Sequence, residues 1–158
     1  MTYHIADEPH ETSLAAYVVN PTAPLLAAMM AGAWLAWPWF IFNAIAMGSP
    51  TKKKEIALSI GAFVTTGVLA ATLIALVDHE VITTRLYIRL AILAIVTFKL
   101  GITYYISTVQ NRTFHVYQYY GGSVRASGAI LAAGYLLRGL VVGLSDDPLW
   151  IIIVAGGM

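Results

Sequence analysis

Residues 86–107 read LYIRLAILAIVTFKLGITYYIS, an apolar run of 22 residues with Lys99 as the one charge far from its ends. A helix rises about 1.5 Å per residue, so this run is long enough to cross a hydrocarbon core of about 30 Å. Three more such runs cover residues 25–47, 56–77 and 126–144. Backbone N–H and C=O groups cannot stay unpaired in lipid, so runs of this length are expected to be helices. The sequence therefore predicts an all-α fold, an integral membrane four-helix bundle.

The composition favours a single membrane domain that comprises the whole chain, residues 1–158. Hydrophobic residues make up 59% and charged residues 11%, against about 25% charged in soluble domains. The longest stretches outside the runs, residues 1–24 and 108–125, are too short to bury cores of their own. The chain has no cysteine, which excludes disulfides and thiolate metal sites. Its net charge of +1 gives no bulk attraction to nucleic acid, so no nucleic-acid partner is expected.

Charge between the runs predicts an orientation in the plasma (inner) membrane. The loop Gly48–Glu55 carries three lysines and the next loop on that side carries Arg112 and Arg125, so both loops are expected to be cytoplasmic. Both termini are then extracytoplasmic, including the N-terminal segment 1–24. The apolar tail 145–158 is too short to span again. We interpret it as a kinked helix extension, an interfacial or re-entrant segment, or a segment buried against a partner subunit.

Lys99 requires an explanation, because charge at membrane depth costs about 3 kcal/mol even on lenient insertion scales. It contacts an ion or substrate, snorkels to the interface, or pairs with another chain. No Asp or Glu lies inside the four runs, so a partner within them would be a carbonyl or a weakly polar group such as Asn43. Lys99 and Asn43 are the candidate intramembrane polar site.

An aromatic and polar segment, residues 110–125, follows the third run and is expected to be an interfacial loop. Aromatic rings beside arginine at headgroup depth suit an anionic lipid headgroup, and equally a protein partner. The candidate contact residues are Arg112, His115, Tyr117, Tyr119, Tyr120 and Arg125.

Tryptophans and glycines mark candidate contacts between helices or between subunits. The first run contains Pro38, which is expected to kink it near its middle. Gly139 and Gly143 have the spacing that allows helix backbones to approach closely. The candidate packing residues are Trp34, Trp37, Trp39, Gly139, Gly143 and Trp150.

The sequence contains no recognisable catalytic or cofactor-binding constellation. All four histidines lie outside the runs, which excludes a bis-histidine haem inside the bundle. No serine or threonine has a nearby histidine and acid for a triad, and no pair of facing carboxylates is expected. We therefore expect no catalytic residue, no metal and no cofactor.

These patterns favour a small non-catalytic accessory or structural subunit of a larger membrane protein complex. Its partners would be membrane lipids and other membrane subunits. One alternative is a homo-oligomeric small channel or transporter that uses Lys99. The other is an anionic-lipid-binding membrane scaffold that uses the 110–125 loop.

Overall fold

The computed structural model describes residues 12–155; the ends of the predicted N-terminal segment and tail, residues 1–11 and 156–158, lie outside it. Within the described residues the chain has no strand, which confirms the all-α prediction. A 3₁₀ turn, Ala15–Tyr17, comes first. Six α-helices follow: Thr22–Met30 (α1), Ala33–Ala46 (α2), Lys52–Asp78 (α3), Arg85–Tyr119 (α4), Gly128–Val142 (α5) and Pro148–Val154 (α6).

Helices α3 and α4 form a long antiparallel pair. They have 27 and 35 residues, which corresponds to about 40 and 52 Å at helical rise. Both are long and apolar enough to cross a membrane. Within an apolar stretch of 18 residues in each helix, only 22% of α3 and 17% of α4 is buried. The core helix of a soluble protein is mostly buried. The runs predicted over residues 56–77 and 86–107 lie inside these two helices.

The prediction of four spanning helices is wrong, because among the described residues only α3 and α4 are long enough. Residues 126–144 contain α5, whose 15 residues rise about 22 Å before the helix ends at Gly143. Residues 25–47 are divided between α1 and α2, of 9 and 14 residues. The division lies at Gly32 and not at Pro38, which α2 accommodates within the helix.

Gly32 turns the chain back between α1 and α2. Its φ of 116° lies in a region of backbone conformation that residues with a Cβ rarely adopt. Its N–H donates to the Ala27 carbonyl at 2.9 Å. Trp34 Nε1 donates to the Ala31 carbonyl, also at 2.9 Å, and so ties the turn to α2. The two helices therefore form a hairpin. Small buried residues let its arms pack closely: Ala23, Ala27, Ala28, Ala33 and Ala36.

We expect Gly32→Ala to lower the free energy of unfolding by about 1–3 kcal/mol, because an added Cβ opposes the positive φ. Gly139→Ala is the matched control. A Cβ at Gly139 would meet no atom within 4 Å, and alanine favours the helix by up to about 1 kcal/mol. Titration with a denaturing detergent, followed by circular dichroism, compares the two variants. Equal loss of stability in both would contradict the role given to Gly32.

Helix α4 continues beyond the predicted third run. The prediction of a loop over residues 110–125 is therefore wrong as far as Tyr119, the last residue of α4. These added turns contact the N-terminal segment, where Tyr117 Oη donates to the Ala15 carbonyl at 3.1 Å. Thr12 Oγ1 donates to the Ala46 carbonyl at 2.6 Å. The helical turns after residue 110 thus provide a surface on which the N-terminal segment packs.

These contacts place residues 12–19 at the end of the molecule that carries Lys52, Lys53 and Lys54. The sequence predicted a cytoplasmic lysine loop and an extracytoplasmic segment 1–24, and these two predictions cannot both hold for the described residues. The physical reason is the hairpin. A single spanning helix would separate its two ends by the membrane, whereas the hairpin returns the chain to the end where it entered.

Single cysteines test this sidedness, since the chain has none of its own. Ser13, Lys53 and Asp146 are all exposed, and Asp146 follows α5 at the opposite end. We expect cysteines at positions 13 and 53 to react with an impermeant maleimide from one side of a sealed vesicle, and the one at 146 from the other. Reaction of positions 13 and 146 from the same side would contradict the hairpin.

Candidate functional site

Lys99 lies near the middle of α4 and is only 5% exposed. Its Nζ is 2.9 Å from the Ile152 carbonyl oxygen and 3.0 Å from that of Ile153, and it also donates to the Ala155 carbonyl. The last carbonyls of a helix lack partners within the helix and carry partial negative charge. Lys99 therefore caps the C-terminal end of α6, and this uses all three donors of its ammonium group.

Helix α6 begins toward the end of the molecule opposite Lys52–Lys54 and runs toward Lys99. Local sequence determines where it begins. Asp147 Oδ1 accepts from the Leu149 N–H at 2.9 Å, and Pro148 occupies the first helical position. Trp150 Nε1 donates to the Val141 carbonyl at 2.9 Å and so ties α6 to α5. The described part of the tail forms a short helix separate from α5, and its interpretation as an interfacial or re-entrant segment stays a prediction. This helix packs on α3, α2 and α5 of its own chain.

A row of buried polar side chains follows Lys99 along one face of α4. Its members are Lys99, Thr103, Ser107, Gln110 and Thr113. Several of them bind the hairpin: Trp37 Nε1 donates to Thr103 Oγ1 at 3.1 Å, Ser107 Oγ to the Pro21 carbonyl at 3.1 Å, and Gln110 Nε2 to the Phe40 carbonyl at 2.7 Å. The successive spacings of four, four, three and three residues mark one helix face and could have been read from the sequence. A search for charged residues alone does not detect this row, because four of its five members are uncharged.

Asn43 joins α2 to the N-terminal segment and to α4. Its Oδ1 accepts from the Val19 N–H at 3.0 Å, and its Nδ2 donates to the Val19 carbonyl at 3.1 Å and to Gln110 Oε1 at 3.2 Å. Asn43 is fully buried. The structure does not bring it to Lys99, since Gln110 lies 11 residues further along α4, about 16 Å at helical rise. The two predicted members of the polar site therefore serve different contacts.

Glu55 is a buried carboxylate at the start of α3 that sequence reasoning did not single out. Its Oε1 accepts from Ser49 Oγ and from Thr51 Oγ1, each at 2.6 Å. The side chain is fully buried, beside three exposed lysines. Its carboxylate therefore stabilises the α2–α3 turn through these hydrogen bonds. Because it is buried, it is not part of the surface formed by the three lysines. Among residues 12–155 no cluster of three or more histidine, aspartate or glutamate side chains is placed to hold a metal ion.

The six predicted lipid or partner contacts do not form one surface. Tyr117 is buried, and its Oη bonds the Ala15 and Ser123 carbonyls. Arg112 lies in a groove between α3 and α4. The guanidinium of Arg125 lies 5.1 Å from the centroid of the Tyr17 ring. The remaining three are exposed near the end of α4: His115, Tyr119 and Tyr120.

Two of the three tryptophans of α2, Trp37 and Trp39, are buried, and Trp34 is partly exposed. Trp37 is buried, with the bond to Thr103 described above. Trp34 and Trp39 line an open groove of about 690 Å³ between α2 and α5, together with Phe42 and Arg125. We call this the α2–α5 groove. A contact with another subunit at these two tryptophans stays a prediction.

The close approach on α5 occurs at Gly134. A Cβ there would overlap Leu35 Cδ2 and lie 3.4 Å from Ala31 Cβ, so Gly134 fits against the turn of the hairpin. A Cβ at Gly139 meets nothing within 4 Å, and one at Gly143 meets only carbonyls of α5 itself. Gly139 and Gly143 therefore make no close approach to another described helix, and their contact with another subunit stays a prediction.

Comparison with known proteins provides no further guide to function. The chain matches no protein family, and neither the curated proteins nor the solved structures contain a significant match to it.

Proposed function

We propose that this protein is a non-catalytic accessory subunit of a membrane complex, with α3 and α4 crossing the bilayer. The observation that carries the proposal is the environment of Lys99. Its three donors bond carbonyls of α6, so the charge that the sequence places deepest stabilises the fold. An ammonium group occupied in this way is not free to line an ion path or to act on a substrate.

Exposed apolar side chains on the long helices support the membrane location. Val64 and Val68 on α3 are 57% and 60% exposed, and Leu93 on α4 is 59% exposed. Contact with water at so many apolar positions opposes solubility, whereas lipid tails cover them without cost. The basic end with Lys52–Lys54 faces the cytoplasm by the positive-inside rule. Residues 12–19 then lie on the cytoplasmic side as well.

The α2–α5 groove supports a protein partner. The partly exposed Trp34 and the exposed Phe42 offer large aromatic contact surfaces, as residues that dominate interfaces usually do, whereas Trp39 is only 7% exposed and contributes little. Ala126 and Ala129 line the opposite wall, where small side chains let another helix approach closely. We assign this groove to a transmembrane helix of a partner subunit.

Site-specific photo-crosslinking in the native membrane tests the assignment. A photoreactive phenylalanine analogue in place of Phe42 should give discrete adducts with one foreign chain, which also co-purifies in stoichiometric amounts by native mass spectrometry. The same analogue in place of Leu93 is the matched control, and it should react mainly with lipid. A stable, monodisperse monomer in mild detergent, with no protein adduct at position 42, would overturn the proposal.

A homo-oligomeric channel is the second candidate. It is favoured by the arrangement of the short helices, namely the α1–α2 hairpin and α6. The hairpin and α6 enter from opposite ends, and α6 ends beside Lys99. Such broken helices at membrane depth occur where they are buried in protein or line a cavity. Flux through proteoliposomes that is lost in Lys99→Leu but kept in Ile153→Ala, which loosens α6 without removing charge, would favour the channel.

A further inference from the structure

Two adjoining clefts lie on the outer face between α3 and α4. The first, about 410 Å³, is lined by Lys54 and Arg112 together with Tyr105, Thr108 and Thr113. We call it the headgroup pocket. The second, about 380 Å³, is lined by Gly61, Phe98, Ile102 and other mainly apolar residues, and we call it the chain cleft. Lys54 lines both, so the two clefts adjoin at this side chain.

Two cations from separate helices converge on the headgroup pocket. Lys54 is in the first turn of α3, and Arg112 is near the end of α4. The Lys54 ammonium lies 5.8 Å from the centroid of the Tyr105 ring, which holds it over the pocket. Of the described acidic residues only Glu55 lies at this end, and its carboxylate is buried against Ser49. The pocket is therefore a positively charged site whose charge complement is an anion.

The chain cleft has the opposite character. A Cβ added at Gly61 would meet no atom within 4 Å, so the missing side chain leaves the cleft open. Phe98 and Ile102 form the α4 wall. The 14 residues from Phe98 to Arg112 rise about 21 Å, comparable with one membrane leaflet including its headgroup region. An anionic group attached to a long apolar chain fits both clefts at once.

We propose that the face between α3 and α4 binds one phospholipid with an anionic headgroup. Its phosphate lies between Lys54 and Arg112, and an acyl chain occupies the chain cleft over Gly61. The hydroxyl group of Tyr105 is available as a further donor to headgroup oxygens, whereas that of Thr108 donates to the Tyr104 carbonyl at 2.9 Å. This inference rests on the membrane location of α3 and α4 and does not require the partner subunit.

Native mass spectrometry of the full chain in detergent tests the site with two lipids of equal acyl chains, phosphatidylglycerol and phosphatidylcholine. The wild-type protein should retain one phosphatidylglycerol in preference. The double change Lys54→Gln/Arg112→Gln should reduce that preference by at least about tenfold. Lys52→Gln/Lys53→Gln removes the same charge from exposed positions that do not line the pocket, and it should leave the preference unchanged. Equal losses in both double variants would overturn the proposal.

The chain cleft is tested by filling it. Gly61→Phe should reduce retention of both lipids at the site, because the ring occupies the space of the acyl chain. Gly101→Phe is the matched control, since Gly101 is exposed on α4, has equal open space and does not line the cleft. Glycerol phosphate, which lacks acyl chains, should not displace the bound lipid. Lipid retention that survives in Gly61→Phe, or displacement by glycerol phosphate, would overturn the assignment.

The outcomes separate this inference from the proposed function. A monomer that keeps its phosphatidylglycerol preference contradicts the accessory role and supports the lipid site. A hetero-complex in which the preference is insensitive to Lys54 and Arg112 supports the accessory role and overturns the lipid site. Recovery of the protein in the soluble fraction after alkaline extraction would overturn both, because both need a bilayer.

Discussion

Lys99→Leu is expected to lower the free energy of unfolding by about 3 kcal/mol or more, because each buried acceptor left without a donor costs about 1–3 kcal/mol. The leucine side chain is apolar, two atoms shorter and without a donor, so the carbonyls of Ile152, Ile153 and Ala155 lose their common partner. The end of α6 should then separate from α4. Faster amide hydrogen exchange over residues 148–155 and a lower midpoint in detergent denaturation would measure the effect.

Lys53→Leu is the control for Lys99→Leu. Lys53 is exposed at the start of α3, so the same change there should alter stability by less than about 0.5 kcal/mol. The helices α3 and α4 should retain their protection in both variants, which distinguishes local release of α6 from global unfolding. Unchanged exchange over α6 in Lys99→Leu would show that the cap contributes little.

Asn43→Leu is the second large effect, with an expected loss of about 3 kcal/mol or more, since the change keeps the number and branching of side-chain heavy atoms but leaves several buried groups unpaired. The groups affected are the Val19 N–H, the Val19 carbonyl and Gln110 Oε1. The N-terminal segment should then detach from α2. Proteolytic cleavage within residues 12–20 and denaturation in detergent would report it.

Two further variants make the Asn43 result specific. Asn111→Leu makes the same change at a half-exposed position one residue beyond Gln110 and should be nearly neutral. Asn43→Leu combined with Gln110→Leu should cost less than the sum of the single changes, because the two side chains share a hydrogen bond. Strict additivity would contradict the direct coupling between α2 and α4.

The long apolar helices could be predicted because their signal is local. A run such as residues 56–77 needs no knowledge of its neighbours, since the length of a helix and the thickness of a bilayer settle the comparison. The candidate polar site could be predicted only in part. The sequence singled out Lys99 but left its partner open, and within the runs it offered a carbonyl or a weakly polar group such as Asn43. The partners in the structure are carbonyls of residues 152–155, outside the runs and more than 50 positions away.

The run at residues 25–47 shows where apolar periodicity misleads. A hairpin of two short helices and one spanning helix have the same composition, and Pro38 is a stronger local signal for a kink than Gly32. The difference arises from contacts that the run does not contain: Asn43 with Val19, and the turn of the hairpin with Gly134 on α5.

Composition and hydropathy were sufficient to predict an all-helical protein and the two membrane-length helices α3 and α4, because burial of backbone polar groups and helix length are properties of each segment; the same signal wrongly predicted two further spans. The packed structure decided four features: the hairpin, the position of α6 beside Lys99, the position of residues 12–19 beside the lysines, and the proximity of Lys54 to Arg112. Each depends on hydrogen bonds or charges between residues far apart in the chain. Such contacts form only when several helices enclose a common interior, where every polar group needs a partner.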